Sequence, residues 1–232
     1  MRQRRLVVTI LLVAAAATIA FAIGRSSPES ARSLPPAPTT TTTTAVATTS
    51  VPKDVRRALA ALVVEDRRPP DGYSRDLFPL WLDLDGNGCD ARVDVLVQES
   101  LTPPQVDRTG SCAVIAGDWR SRYDGVAVSD PAELDVDHLV PLGEAWRSGA
   151  DTWTAERRAA YANDVTDPEQ LVAVTASSNR SKGDRDPSEW RPPDRSAWCW
   201  YATSWVRVKV RWHLTVDTAE RDALGQMLET CP

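Results

Sequence analysis

Only two histidines occur in the 232 residues, His138 and His213. Imidazole is the one side chain whose ordinary pKa lets it trade a proton near neutrality, so each is a candidate for acid–base chemistry. His138 stands in Leu134-Asp135-Val136-Asp137-His138-Leu139-Val140-Pro141-Leu142, where two carboxylates at alternating positions lead into the ring. A regular strand turns Asp137 and His138 to opposite faces. For both to serve one site the strand must end there, and Pro141 offers such an end. The plain alternative is a buried histidine held by a neighbouring carboxylate. His213 closes a Trp-rich stretch and reads as a surface or helix-capping residue.

A second cluster follows the apolar run Leu171-Val172-Ala173-Val174-Thr175. In Asn179-Arg180-Ser181-Lys182-Gly183-Asp184, an amide oxygen able to bind a cation stands beside two positive charges. Read plainly, this is a strand, a turn and a solvated charge run.

Taken together, the two clusters resemble the HNH endonuclease superfamily. The pattern DxDHxVPL, a W-x-x-G-A segment and NRxKGDxxPxxW are similar to its actinobacterial secreted branch. Here they are Asp135 to Leu142, then Trp146-Arg147-Ser148-Gly149-Ala150, then Asn179 to Asp184 with Pro187 and Trp190. The Asn-Arg-x-Lys element also looks like the HNH domain of RNA-guided CRISPR effectors. The resemblance implies an α+β fold with an HNH-type ββα-metal core, a short antiparallel hairpin plus helix. That core would sit in a mainly helical domain.

The implied chemistry is phosphodiester hydrolysis by in-line attack of water. Neutral His138 would act as general base. Mg2+, Mn2+ or another hard divalent cation, held by Asp137 and Asn179, would neutralise the scissile phosphate. Arg180 and Lys182 would contact backbone phosphates. The family's middle position, often Asn, is here Gln170, which with Asp135 would support the site from behind. From Asn179 to Arg211 there are eight basic and four acidic residues, a local basic patch. Nucleic acid is therefore the expected partner, DNA ahead of RNA. No protein partner is implied. The competing reading is a surface-exposed binding module with a vestigial HNH core, stabilised by calcium. Asp83, Asp85, Asn87 and Asp94 fit the D-x-D-x-N-G-x5-D spacing of a calcium loop, with Asp in place of the final Glu. A polar turn leading to Arg92 explains the same residues.

The elements that must position these groups are partly legible. Residues 53–65 read as a helix with Val55, Leu59, Leu62 and Val63 on one face. Asp-Gly at 124–125 suggests a hairpin turn within 119–128. Residues 134–137 and 171–175 read as strands, and 154–163 as a helix. Trp198, Tyr201, Trp205, Val208 and Trp212 form a helical stripe, with Arg207, Lys209 and Arg211 off it. Asp217-Thr218-Ala219-Glu220 starts a last helix whose apolar face is Leu224, Met227 and Leu228. The two helices make an antiparallel hairpin, which brings Cys199 near Cys231. Four cysteines allow three pairings. The hairpin favours Cys199–Cys231 and leaves Cys89–Cys112 to clip the polar loop to the next segment.

Composition sets the compartment. Residues 1–52 carry five arginines and one glutamate; the remaining 22 basic and 31 acidic residues leave the 53–232 domain near −9. Such a charge argues against a DNA-coating protein. Arg2, Arg4 and Arg5 precede a 19-residue apolar stretch, Leu6 to Gly24, with a small-x-small site at Ala20-Phe21-Ala22. Residues 1–24 are a cleaved signal peptide or an N-terminal membrane anchor. Residues 25–52, rich in Pro and Thr, are a disordered linker. The expected location is secreted, or anchored to the outer face of the cytoplasmic membrane, with membrane contact only through the N-terminal segment. An even cysteine count suits that compartment.

Overall fold

A computed structural model describes residues 51–110 and 112–232. The expected leader, and all but the end of the expected linker, lie outside these residues. Helix α1 spans Val51–Ala61. It begins two residues inside the expected linker, where the fixed φ of Pro52 suits a first turn. It ends four residues before the expected Glu65. A backbone pairing explains the early stop: Val216 N–H donates to Val63 O (3.0 Å) and Glu65 N–H donates to Val216 O (2.9 Å). Extended backbone is needed there. Val63 consequently turns outward, 59% exposed, instead of joining the apolar face of Val55 and Leu59.

The polar loop after Leu82 runs into helix α2 (Ala91–Glu99), whose first turn is capped by the Asp90 carboxylate accepting the Val93 N–H at 2.9 Å. Two small antiparallel pairs follow: β1 (Gln105–Asp107) with β2 (Ala113–Ala116), and β3 (Trp119–Arg120) with β4 (Ala127–Val128). The turn between β3 and β4 contains Gly125 at φ +71°, a conformation that costs glycine little. The third pair is β5 (Leu134–His138) with β6 (Leu171–Thr175), antiparallel and in unbroken register from Leu134↔Thr175 to His138↔Leu171. Helices α3 (Leu142–Arg147) and α4 (Ala155–Ala162) fill the connection between them. Helix α5 (Ala176–Lys182) leaves β6 directly, its N-cap Thr175 accepting from the Ser178 N–H.

The β5–β6 pair is covered on both faces, which is why all five residues of β6 are buried. Leu134, Val136, Leu171 and Ala173 pack with Ala91, Val95 and Leu96 of α2 and with Trp119 and Val128. Val172 and Val174 belong to the larger core with Tyr123, Trp190 and Tyr201. Asp135 and Asp137, opposite Val174 and Val172, share that second face.

The chain ends in α6 (Trp198–Trp212) and α7 (Thr218–Leu228). Tyr201, Trp205, Val208, Leu224, Met227 and Leu228 are buried between neighbouring elements, as their spacing predicts. His213 is the α6 C-cap, exposed, at φ +56°. Lys209 departs from expectation. It is fully buried, and its Nζ donates to Glu144 Oε1 (3.0 Å), Glu220 Oε2 (2.7 Å), Ser148 Oγ (2.9 Å) and Thr215 O (2.8 Å). Arg67 reaches the same cluster, 2.9 Å from Glu144 and 3.2 Å from Asp186. The expected basic patch thus loses Lys209 to the interior. Arg207 and Arg211 are also paired, with Glu169 and Asp164.

The mixed helices and short antiparallel pairs give the α+β class. Both expected disulfides are present, Cys89–Cys112 and Cys199–Cys231, with Cα atoms 5.0 and 4.9 Å apart. No free cysteine remains. The purified protein is expected to run faster on a non-reducing gel, and alkylation before reduction should label no thiol. Loops of this length make each bridge worth about 3–4 kcal/mol in the chain-entropy account. Peptide mapping that joined Cys89 to Cys199 would contradict the pairing. Among the described residues no helix is long and apolar enough to cross a membrane.

Candidate active site

His138 closes β5, and the regular register holds its ring on the face opposite Asp137. No early strand end brings the two to one face. The ring lies close to parallel with Tyr161, centroids 6.3 Å apart at 15°, and 6.0 Å from Trp81. His138 Nε2 is 2.9 Å from the Ala162 carbonyl oxygen. A carbonyl only accepts, so Nε2 carries the proton and Nδ1 keeps a lone pair. Burial pushes the imidazole pKa down to about 3, and the Arg75 and Lys182 charges push the same way. The ring is therefore neutral at ordinary pH.

Gln170 acts next to this contact. Its side-chain Nε2 donates to Tyr161 O at 3.2 Å, and its backbone carbonyl accepts the Leu139 N–H at 3.0 Å. Gln170, fully buried, thus holds the residue after His138 through its main chain and the peptide before Ala162 through its side chain.

On the other face, α5 lies against β5. Asp137 Oδ2 accepts from Tyr123 Oη and from Lys182 Nζ, both at 2.6 Å. Lys182 Nζ also donates to His138 O at 2.9 Å. Burial pushes the Asp137 carboxyl up and the Lys182 ammonium down, while their mutual contact opposes both shifts. Lys182 is fully buried, so the expected phosphate contact is not available to it. A lysine at the end of a seven-residue helix points inward here because Asp137 Oδ2 and His138 O accept from it. Arg180, two residues earlier, is exposed.

Asn179 Nδ2 donates to Asp135 Oδ2 at 3.0 Å, which orients the amide and brings Asp135 into the group. Among the described residues no donor reaches Asn179 Oδ1 or Asp137 Oδ1. These are hard oxygen donors from adjacent elements, and they suit a small divalent cation that keeps several waters. They do not suit a metal that needs a full protein cage. Among the described residues no three His, Cys, Asp or Glu groups are placed to hold a metal together.

The expected calcium loop satisfies itself. The Asp83 carboxylate accepts the N–H groups of Gly86 (2.8 Å), Asn87 (3.2 Å) and Gly88 (2.9 Å). Asn87 Nδ2 donates to Asp85 (3.0 Å) and to Asp94 (2.9 Å). Arg92, just beyond, donates to Leu134 O at 3.3 Å and so ties α2 to β5.

Three site residues have no sequence signal. Tyr123 lies beside an Asp-Gly turn and shows only a hairpin. Trp81 takes φ +56°, rare for a bulky residue, and nothing in Phe78-Pro79-Leu80-Trp81 announces it. Arg75 is one exposed arginine among many until its charge is placed near His138.

The chain is 46% identical over 173 residues to a protein of Arthroderma benhamiae named only as an uncharacterized secreted protein; the match covers 75% of this chain and 82% of that protein. No solved structure matches. The sequence profile for the C-terminal domain of GmrSD restriction endonucleases matches residues 97–227, which include β5, β6, α5 and both terminal helices but for one residue. With more than half of its length inside that match, the chain belongs to the family of GmrSD restriction endonuclease C-terminal domains.

Proposed function

We propose that this protein is an exported HNH-type endonuclease that hydrolyses nucleic-acid phosphodiester bonds with little sequence preference, DNA ahead of RNA. One observation carries the reading: a neutral imidazole, its proton committed to Ala162 O, keeps a free Nδ1 at the end of the strand that also bears Asp137. That nitrogen can take a proton from an attacking water. Asp137 and Asn179, backed by Asp135, would hold a Mg2+ or similar ion, which when bound supplies charge neutralisation at the phosphate. Tyr123 and Lys182 fix the Asp137 carboxylate. Gln170 fixes the peptide that orients His138. Arg180 and Arg75 remain as candidates for phosphate contact. Export is supported by the N-terminal sequence, by the two disulfides and by the secreted relative. The placement in an actinobacterial secreted branch rests on the motif alone.

The Lys182–Asp137 ion pair, the 3% exposure of His138 and its place on the face opposite Asp137 favour a second reading, a binding module with a vestigial core. Incubation with plasmid DNA and with RNA, in Mg2+ or in EDTA, separates the two. Cleavage that EDTA abolishes supports the enzyme; intact substrate with retained binding supports the module. Asn179→Ala is expected to raise the Mg2+ concentration needed for half-maximal cleavage while leaving the melting temperature within a few degrees. Wild-type cleavage at limiting Mg2+ would remove Asn179 from the metal site.

A further inference from the structure

We propose a second nucleic-acid contact: the cleft between the β3–β4 turn and the start of α6 holds one nucleotide unit of the strand running to the candidate active site. The proposal deepens the nuclease reading and rests on it. The cleft has a volume of about 250 Å3 and is lined by Arg120, Arg122, Asp194, Ser196 and Trp200, among others. Pockets for drug-sized ligands start at about 300 Å3, so this one suits a single unit of a chain.

Its chemistry matches a nucleotide. Arg120 and Arg122 are exposed and form no ion pair among the described residues, unlike Arg207 and Arg211. Two unpaired guanidinium forks suit phosphate oxygens. The Arg122 guanidinium carbon stands 4.9 Å from the centre of the Trp200 ring, so an aromatic face preorganises the cation. A base can stack on the guanidinium that Trp200 holds there, without regard to sequence. The Trp200 indole N–H is buried and has no acceptor among the described residues. The one carboxylate in the lining, Asp194, caps the Ser196 N–H at 2.8 Å and feels the Arg120 charge, without a direct ion pair.

Two features show that the cleft is built and tied to the site. Gly125 takes φ +71° between the walls, and a Cβ there would stand 3.4 Å from Asp194 Oδ2 and 3.6 Å from Arg120 Nη2, in ordinary contact with both. The turn is anchored to the site by adjacent residues: Tyr123 donates to Asp137, and Asp124 accepts from Thr175 and from Ser178 (2.7 Å) at the start of α5. The Tyr123 carbonyl also accepts the Asp194 N–H at 3.0 Å, which ties the two walls together.

The test is fluorescence anisotropy of labelled oligothymidylate with the full protein in EDTA, across a salt series. The parent is compared with Arg120→Ala/Arg122→Ala, Trp200→Ala and, as a paired surface control, Arg207→Ala. Thermal melts confirm that each variant is folded. The double variant should bind at least tenfold more weakly, and its log K against log salt slope should be shallower by about 1.4, two phosphates on a single strand. Trp200→Ala should remove the parent's preference for oligothymidylate over an abasic oligomer. Unchanged affinity and slope in a folded double variant, or a parent with no preference over the abasic strand, would overturn the proposal. A parent that binds in this arginine-dependent way but never cleaves in Mg2+ would sink the nuclease reading and keep the cleft. A parent that cleaves while the double variant binds normally would do the reverse.

Discussion

His138→Ala is expected to lower cleavage by about 100- to 10,000-fold, the range for loss of a general base. No other imidazole can substitute, because His213 caps the far end of α6, exposed and outside the β5–β6 group. Asp137 cannot take the role either, with one carboxylate oxygen already accepting from both Tyr123 and Lys182. The substitution leaves the Ala162 carbonyl without its imidazole donor, which costs about 1–3 kcal/mol for a buried group. A fold of this size should survive that loss, and a thermal melt would record it separately from the rate. Binding of nucleic acid should persist, since the proposed phosphate contacts lie elsewhere. Asp137→Ala should fail differently, losing metal binding together with the rate and leaving Lys182 buried without its partner. Plasmid cleavage by His138→Ala within a few-fold of the parent would end the HNH mechanism for this protein.

Lys209→Met is expected to cost about 3–5 kcal/mol of stability, the usual result of removing one member of a buried ion group. The methionine fills similar volume but leaves Glu144 and Glu220, both fully buried, facing each other with only Arg67 and Arg147 in reach of the first. The loss should depend on pH in a defined direction. Burial already holds the Glu220 carboxyl up at about 7, with Lys209 opposing that rise. A carboxyl whose pKa is raised on folding contributes stability that is present below its ordinary value and lost as pH rises through the raised one. Removing Lys209 raises it further. The melting-temperature deficit of the variant should therefore be largest above pH 7 and shrink toward pH 5, where the carboxyls take up protons. A deficit that is flat across this range, or that grows on acidification, would contradict the account.

The elements carrying the site were legible because their apolar residues obey simple periods. Leu171 to Thr175 is a continuous apolar run and is a strand buried on both faces. Trp198, Tyr201, Trp205 and Val208 repeat every three or four residues, and the Asp217 cap begins α7 where the sequence places it. The helix hairpin then made one cysteine pairing favourable, and that bridge is present. Asp135, Asp137 and Asn179 come together because two strands and a short helix must follow one another there.

Two lysines were misread for one reason. Charged side chains are almost never fully buried unless paired, so the sequence points Lys182 and Lys209 to solvent. Their partners lie far away in sequence: Asp137 is 45 residues from Lys182, and Glu144 is 65 from Lys209. Local spacing contains no trace of such pairs. Lys209 falls four residues after Trp205, on the inward side of α6, although the stripe of Trp198, Tyr201, Trp205, Val208 and Trp212 leaves it out. The early end of α1 has a similar origin, since only the distant Val216 demands an extended backbone at Val63 to Glu65.

The charge group around Lys209 also constrains how this protein can change over generations. Glu144, Lys209, Glu220 and Arg67 come from α3, α6, α7 and the segment after α1, yet each neutralises another. Any one replaced alone unbalances the buried charge, and replacing Lys209 leaves Glu220 with no cation, so a lineage leaving this arrangement must pass through a weakened intermediate or change two codons together. The group therefore behaves as one inherited unit, although its members are scattered along the chain.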